Sequence, residues 1–113
     1  MWEVVATEAF DAWLGQQKPA TQDAVRYVVR LLMQLGPQLP RPYADTLKGS
    51  RYPNMKELRV RAGRSLIRIA FAFDPTRRAI LLTAGDKRGQ NEKRFYARLI
   101  AHADALFEEY LRR

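Results

Sequence analysis

The sequence predicts an α+β fold of order β-α-α-β-β-β-α, an antiparallel sheet with helices packed on one face and an open basic face. Three observations predict it. Three strand-like runs follow one another between Met55 and Ala84, separated by turn residues at Ala62-Gly63 and Asp74-Pro75-Thr76. Segments before and after them carry apolar residues at helical spacing. The stretches that precede and follow the three runs leave the strands and helices in separate blocks, the pattern of a layered α+β domain.

In chain order, Trp2 to Ala6 forms a short opening strand that pairs with the meander. Phe10, Trp13 and Leu14 fall at i, i+3 and i+4 of a first helix, stopped at Gly15. Pro19 suits the first position of a second helix, whose stripe is Val25, Val28, Val29, Leu32 and Leu35, ended by Gly36-Pro37. Pro37, Pro40 and Pro42 make the following segment an extended connection, pinned by Leu39, Tyr43 and Leu47. Lys48-Gly49-Ser50-Arg51 is a flexible basic loop. In the last helix Asn91 is an N-cap, and Phe95, Leu99, Ala103, Leu106 and Tyr110 share a face widened by Ile100, Phe107 and Leu111.

Alternation across the strands sorts the side chains by face. Leu58 and Val60 point one way, and Glu57, Arg59 and Arg61 the other. Ile67, Ile69, Phe71 and Phe73 oppose Leu66, Arg68, Ala70 and Ala72. In the third strand Ile80, Leu82 and Ala84 join the apolar face, leaving Leu81, Thr83 and Lys87 with the arginines. One face is apolar enough to carry helices; the other is small, cationic and suited to chemistry.

With 113 residues, 47% hydrophobic and 28% charged, residues 1–113 read as one globular domain. No run approaches the ~20 apolar residues of a membrane helix, and the first residues lack the basic start of a signal peptide. Cysteine is absent, which removes disulfides and thiolate metal sites. A cytoplasmic protein is the simplest expectation. The net charge of +8 is uneven: Lys48 to Arg98 holds 14 Lys and Arg against 4 acids, while the rest holds 6 against 8. A field concentrated on the meander attracts phosphate backbones, the alternative being a solvated basic surface. The four acids of that stretch, Glu57, Asp74, Asp86 and Glu92, show no metal-ligand spacing, so neither a metal nor another cofactor is expected. No helix combines a basic face with a helix-turn-helix pattern, which disfavours a DNA reader. His102, the only histidine, reads as a helix-surface residue.

Leu47-Lys48-Gly49, Lys56-Glu57-Leu58-Arg59, Ile67-Arg68-Ile69 and Ile80-Leu81-Leu82 leading to Asp86-Lys87-Arg88 occur in an order and spacing that covers nearly the whole chain. In these the sequence resembles the RelE/HigB superfamily of bacterial toxins, in particular its Gp49-like HigB branch. The resemblance implies a RelE-like fold and a toxin of a type II toxin-antitoxin system, a ribosome-dependent messenger-RNA endonuclease that arrests translation. The implied partners are messenger RNA, the ribosome and a cognate antitoxin, often a helix-turn-helix protein of the HigA kind, with no membrane. Carried over by position, the catalytic candidates are Arg59, Arg68, Lys87 and Lys48. RNA contacts are expected from Arg51, Lys56, Arg61, Arg64, Arg88 and Tyr96. Where branch members commonly continue with a phenylalanine, a lysine pair and Lys-Thr-Pro, this chain reads Thr83 to Asn91, so Lys87 and Arg88 both stay candidates.

Metal-free RNA cleavage requires a deprotonated 2′-hydroxyl, a stabilised phosphorane and a protonated 5′-oxygen. Arginine clamps phosphate bidentately but does not readily exchange protons, so Arg59 and Arg68 take the phosphate. A lysine among like charges has a lowered pKa, so Lys87 or Lys48 takes the proton transfer. Each has a plainer alternative. Arg68 can be a partly buried arginine paired with Glu57, Arg59 an outward charge on a half-buried strand, Lys87 a strand terminator and Lys48 a loop charge. Tyr96 borders the apolar stripe of the last helix and can be a packing residue. The competing function is a non-catalytic RNA-binding or antitoxin-binding module of the same fold.

Overall fold

The computed structural model describes residues 1–113. Its elements are β1 (Val4–Ala6), α1 (Glu8–Gly15), α2 (Pro19–Leu35), β2 (Ala44–Thr46), β3 (Met55–Ala62), β4 (Ser65–Phe73), β5 (Ala79–Asp86) and α3 (Glu92–Leu111), with a 3-10 turn at Gly36–Gln38. The five strands form one sheet in the order β1-β5-β4-β3-β2. β1 runs parallel to β5 and the other neighbours are antiparallel. The α+β class and the predicted element order hold, with β2 added where the prolines suggested only a connection.

Local chemistry explains the boundaries. The Thr7 hydroxyl accepts from the Phe10 amide to cap α1 and donates to the Leu82 carbonyl at 2.6 Å, tying the cap to the sheet. Pro19 opens α2, and the Asn91 side chain accepts from the Arg94 amide to cap α3. Gly63, at φ +59°, sits in the two-residue loop of the β3–β4 hairpin, a backbone conformation that favours glycine. Lys48–Arg51 is tethered where the sequence suggested flexibility. Ser50 donates to Asp104 at 2.5 Å and the Arg51 amide donates to the same carboxylate at 3.1 Å.

Helices lie on both faces of the sheet, which corrects the expectation of one covered face and one open face. On one side Leu58, Val60, Ile67, Ile69 and Phe71 pack with Phe10, Val25, Val28 and Leu32 of α1 and α2. On the other, Met55, Ala70, Ala72, Ile80 and Leu82 pack with Phe95, Leu99, Ala103 and Phe107 of α3. The face assigned to the arginines is therefore half apolar. Alanine at 70 and 72 leaves room for α3 there, and a Cβ at Gly85 would meet the Phe95 ring at 3.0 Å.

The third strand also departs from simple alternation. Ala70 pairs with Thr83 but Phe71 pairs with Leu81, so an irregularity leaves Leu82 between them. Ile80 and Leu82 consequently face α3, and Leu81 faces the other core, the reverse of the expectation. Ala84 and Thr83, beyond the irregularity, keep their predicted sides: Ala84 packs on the α1/α2 core and Thr83 meets His102 of α3. The exposed His102 is the helix-surface residue expected.

Candidate active site

Glu57, Arg59 and Arg68 occupy the half of the sheet face that α3 leaves uncovered. Arg59 and Arg68 are direct cross-strand partners on β3 and β4, so they project on the same side. Two guanidiniums opposite one another repel, and Glu57 lies between them in charge. Its carboxylate is buried, with 4% of the side chain exposed. It accepts from Arg59 Nε at 3.0 Å and from the Tyr96 hydroxyl at 2.8 Å, and Arg68 Nε lies 3.8 Å away. Arg68 Nε itself donates to the Tyr96 hydroxyl at 3.2 Å and its Nη1 to the Ile67 carbonyl at 3.1 Å. Asp45 of β2 extends the network, accepting from Arg59 Nη2 at 3.3 Å and pairing with Arg41 at 3.0 Å.

A cleft of about 960 Å³ opens over this network. It is bounded by β2 and the loop after it, by β3 and β4, and by the first turns of α3. Arg59, Arg68, Lys87, Lys48 and Tyr96 all line it. Its charged side chains are Arg41, Lys48, Arg59, Arg68, Lys87 and Lys93 against Asp45, Glu57 and Glu92, a balance of +3. Lys48 is exposed and makes no ion pair. Lys87 Nζ donates to Glu92 at 2.6 Å and sits 5.9 Å from the Tyr96 ring centroid.

The electrostatics follow from these contacts. Burial works against the Arg59 charge, but the hydrogen bond and charge of Glu57, with Asp45, hold its pKa above the ordinary value. Burial pushes the Tyr96 hydroxyl up, and the neighbouring Glu57 carboxylate pushes it further. Tyr96 therefore stays protonated at neutral pH and serves as a donor, not as a base. The Lys87 hydrogen bond and charge hold Glu92 below its usual carboxylate range. Arg59 Nη1 and Arg68 Nη2 have no protein partner. Each arginine thus keeps a donor for an incoming anion.

The remaining expected RNA contacts do not converge here. Lys56 shares the side of Leu58 on β3 and so lies on the α1/α2 face, by the same alternation that brings Arg59 into the cleft. Arg51 pairs with Glu108 and stacks 5.4 Å from the Tyr52 ring. That is twelve residues from Tyr96 along α3, or about 18 Å. Arg61 is exposed at the β3 edge and borders a smaller recess that also reaches Arg59 and Arg68. Arg64 and Arg88 line a separate recess at the hairpin end. Asp45, Arg41 and Lys93 were missed: the first two precede or belong to the short strand concealed by prolines, and Lys93 carries no motif. Glu57 was legible, since alternation sets it beside Arg59. No group of three or more His, Asp or Glu side chains could hold a metal ion.

Comparison of the sequence with known proteins places the chain in a family. The family described as phage-derived protein Gp49-like matches residues 12–108. A Mycobacterium tuberculosis protein named "Putative toxin HigB3" is 44% identical over 108 residues, covering 96% of this chain and 92% of its own. The chain belongs to the Gp49-like family of HigB-type toxins. A second relative from the same organism, named "Putative toxin HigB2", is 45% identical over 105 residues. The match covers 92% of this chain and 52% of that relative, so the chain spans about half of the latter's length. Within this Gp49-like protein no helix is long and apolar enough to cross a membrane.

Proposed function

We propose that this protein is the toxin of a type II toxin-antitoxin pair and cuts messenger RNA on the ribosome without a metal ion. The observation that carries the proposal is the convergence of Arg59, Arg68, Lys87, Lys48 and Tyr96 on one cleft of net positive charge. The scissile phosphate sits against the unengaged guanidinium nitrogens of Arg59 and Arg68. Negative charge grows on its non-bridging oxygens as the 2′-oxygen attacks, and fixed cations already aimed there favour that state. Lys48 or Lys87 moves the protons, accepting from the 2′-hydroxyl or donating to the departing 5′-oxygen. The P–O5′ bond breaks as the P–O2′ bond forms, leaving a 2′,3′-cyclic phosphate and a free 5′-hydroxyl. Glu57 and Tyr96 are positioning residues, which hold the two arginines side by side despite their repulsion.

The partners of this reading are the message, the ribosome and an antitoxin, of helix-turn-helix type, that blocks the cleft. Induction of the chain alone should arrest growth, and co-expression of the neighbouring antitoxin gene should restore it. Purified protein should cut a message only when ribosomes are present, and should leave 2′,3′-cyclic phosphate and 5′-hydroxyl ends. Ribosome-independent cutting, or products with 5′-phosphate and 3′-hydroxyl ends, would overturn the mechanism. The engagement of both arginines by Glu57 favours one competing reading, a module that binds RNA or antitoxin without cutting. Intact message in the presence of bound protein would establish that alternative.

A further inference from the structure

We infer that a second recess, beside the cleft, binds the phosphate backbone of the substrate RNA strand where it leaves the scissile site. This rests on the RNA-cutting reading above. The recess lies between the start of α2 and the β3–β4 hairpin tip, and encloses about 570 Å³. Lys18, Arg64 and Arg88 line it, contributed by three separate parts of the chain. All three are exposed, and none makes an ion pair. Asp86, two residues before Arg88, accepts from the amides of Leu66 and Arg88 and its charge also acts on Arg88, but no acid lines the recess itself. Three cations are thus gathered in a recess whose own lining carries no acid, with only Asp86 beside Arg88 to offset them. Such an arrangement is stabilised by an external anion.

The lining also indicates which anion. The only apolar residues in it are Ala20 and Ala62; the rest is glutamine, threonine, serine and glycine besides the cations. Protein partners are held by large aromatic or aliphatic anchors in pockets, and this surface offers none. Nucleic-acid backbones are held by cations and small polar groups alone. Continuity argues for the substrate strand in particular. Lys87 lines the cleft and Arg88 lines the recess, so adjacent residues, about 3.8 Å apart at Cα, join the two. A strand leaving the Arg59–Arg68 site past Lys87 meets Arg88 next, then Arg64 and Lys18.

The test compares wild type with the triple variant Lys18→Ala, Arg64→Ala, Arg88→Ala, by fluorescence anisotropy at low salt. Two single-stranded RNA probes are used, of about 4 and about 12 nucleotides, the span of single-strand site sizes. The triple variant should bind the longer probe about tenfold or more weakly and the short probe as wild type does. The slope of log affinity against log salt should fall by about 2 for the long probe, from three lost single-strand phosphate contacts. Equal binding of the long probe by both proteins overturns the inference and leaves the RNA-cutting reading intact. So does a loss confined to ribosome or antitoxin binding, which would assign the recess to those partners. If wild type binds neither probe, free or on the ribosome, the RNA-cutting reading itself fails and takes this inference with it.

Discussion

Two acids in this protein have nearly the same surroundings on paper and opposite meanings. Asp74 and Glu57 are both buried, with 2% and 4% of their side chains exposed. Each meets arginine and the hydroxyl of an α3 tyrosine: Tyr110 at 2.7 Å for Asp74 and Tyr96 at 2.8 Å for Glu57. The difference lies in where the donors come from. Asp74 accepts from the Thr76 and Arg78 amides, the Thr76 hydroxyl and Arg78 Nε, all within four residues in the β4–β5 turn. Glu57 accepts from no backbone amide, and its partners Arg59, Arg68 and Tyr96 line an open cleft. A carboxylate satisfied by its own turn is a structural device. One satisfied only by side chains facing solvent-filled space organises groups that can engage something else.

The two networks should therefore break differently. Of the two acids, Glu57 should show the larger effect on activity. Glu57→Gln keeps the volume but removes the charge between two opposed guanidiniums, so cleavage should fall on the order of a hundredfold, as misplaced groups do. Single-turnover cleavage on ribosomes measures it, and an unchanged rate would show that Glu57 does not position the arginines. Asp74→Ala should do the converse, costing stability while leaving the cleavage rate per folded molecule alone.

The size and pH dependence of the Asp74 effect follow from its pKa. Burial opposes ionisation, but the Arg78 amide, the Tyr110 hydroxyl and the Thr76 side chain outweigh it and bring the carboxyl from 3.8 down to about 2. The gap corresponds to roughly 2 kcal/mol. Because the folded value is depressed, this contribution is fully present above about pH 4 and is lost as pH falls towards 2. Urea unfolding of wild type and Asp74→Ala should differ by roughly 2 kcal/mol at pH 7 and converge near pH 2. A difference that does not shrink with acid would contradict the assignment.

The smallest effects come from the tyrosines. Tyr110→Phe removes one hydrogen bond to Asp74 and should cost about 1 kcal/mol of stability. Tyr96→Phe should cost a similar amount and also slow cleavage, since the hydroxyl bridges Glu57 and Arg68. Equal activity in the two variants would remove the distinction between the networks.

The fold was largely legible because its signals are local. Asn91, Pro19 and Gly63 mark boundaries through their own backbone chemistry, and Phe95, Leu99, Ala103 and Phe107 repeat at helical spacing. The shared face of Arg59 and Arg68 followed from alternation across two strands joined by a short turn, but their direct pairing depends on the turn falling at Gly63-Arg64, one residue beyond the predicted Ala62-Gly63. What was not legible depends on relations no short window contains. The irregularity at Leu82 inverted the faces of Ile80 and Leu81, because one unpaired residue shifts the parity of everything before it. The face chosen by α3 depends on the alanines of β4 meeting its stripe across the sheet. Asp45 was hidden because β2 is three residues long and exists only through pairing with β3. The Asp74 network was missed because Tyr110 lies 36 residues away.

One pair of variants tests the central claim most directly. Arg68→Ala and Arg78→Ala each remove an arginine from a buried acid and an α3 tyrosine, one facing the cleft and one closing the turn. Ribosome-stimulated cleavage should drop by about 10² to 10³ for Arg68→Ala, the loss expected when one charge-stabilising donor is removed. It should stay near wild type for folded Arg78→Ala. Wild-type turnover by a well-folded Arg68→Ala protein would contradict the account.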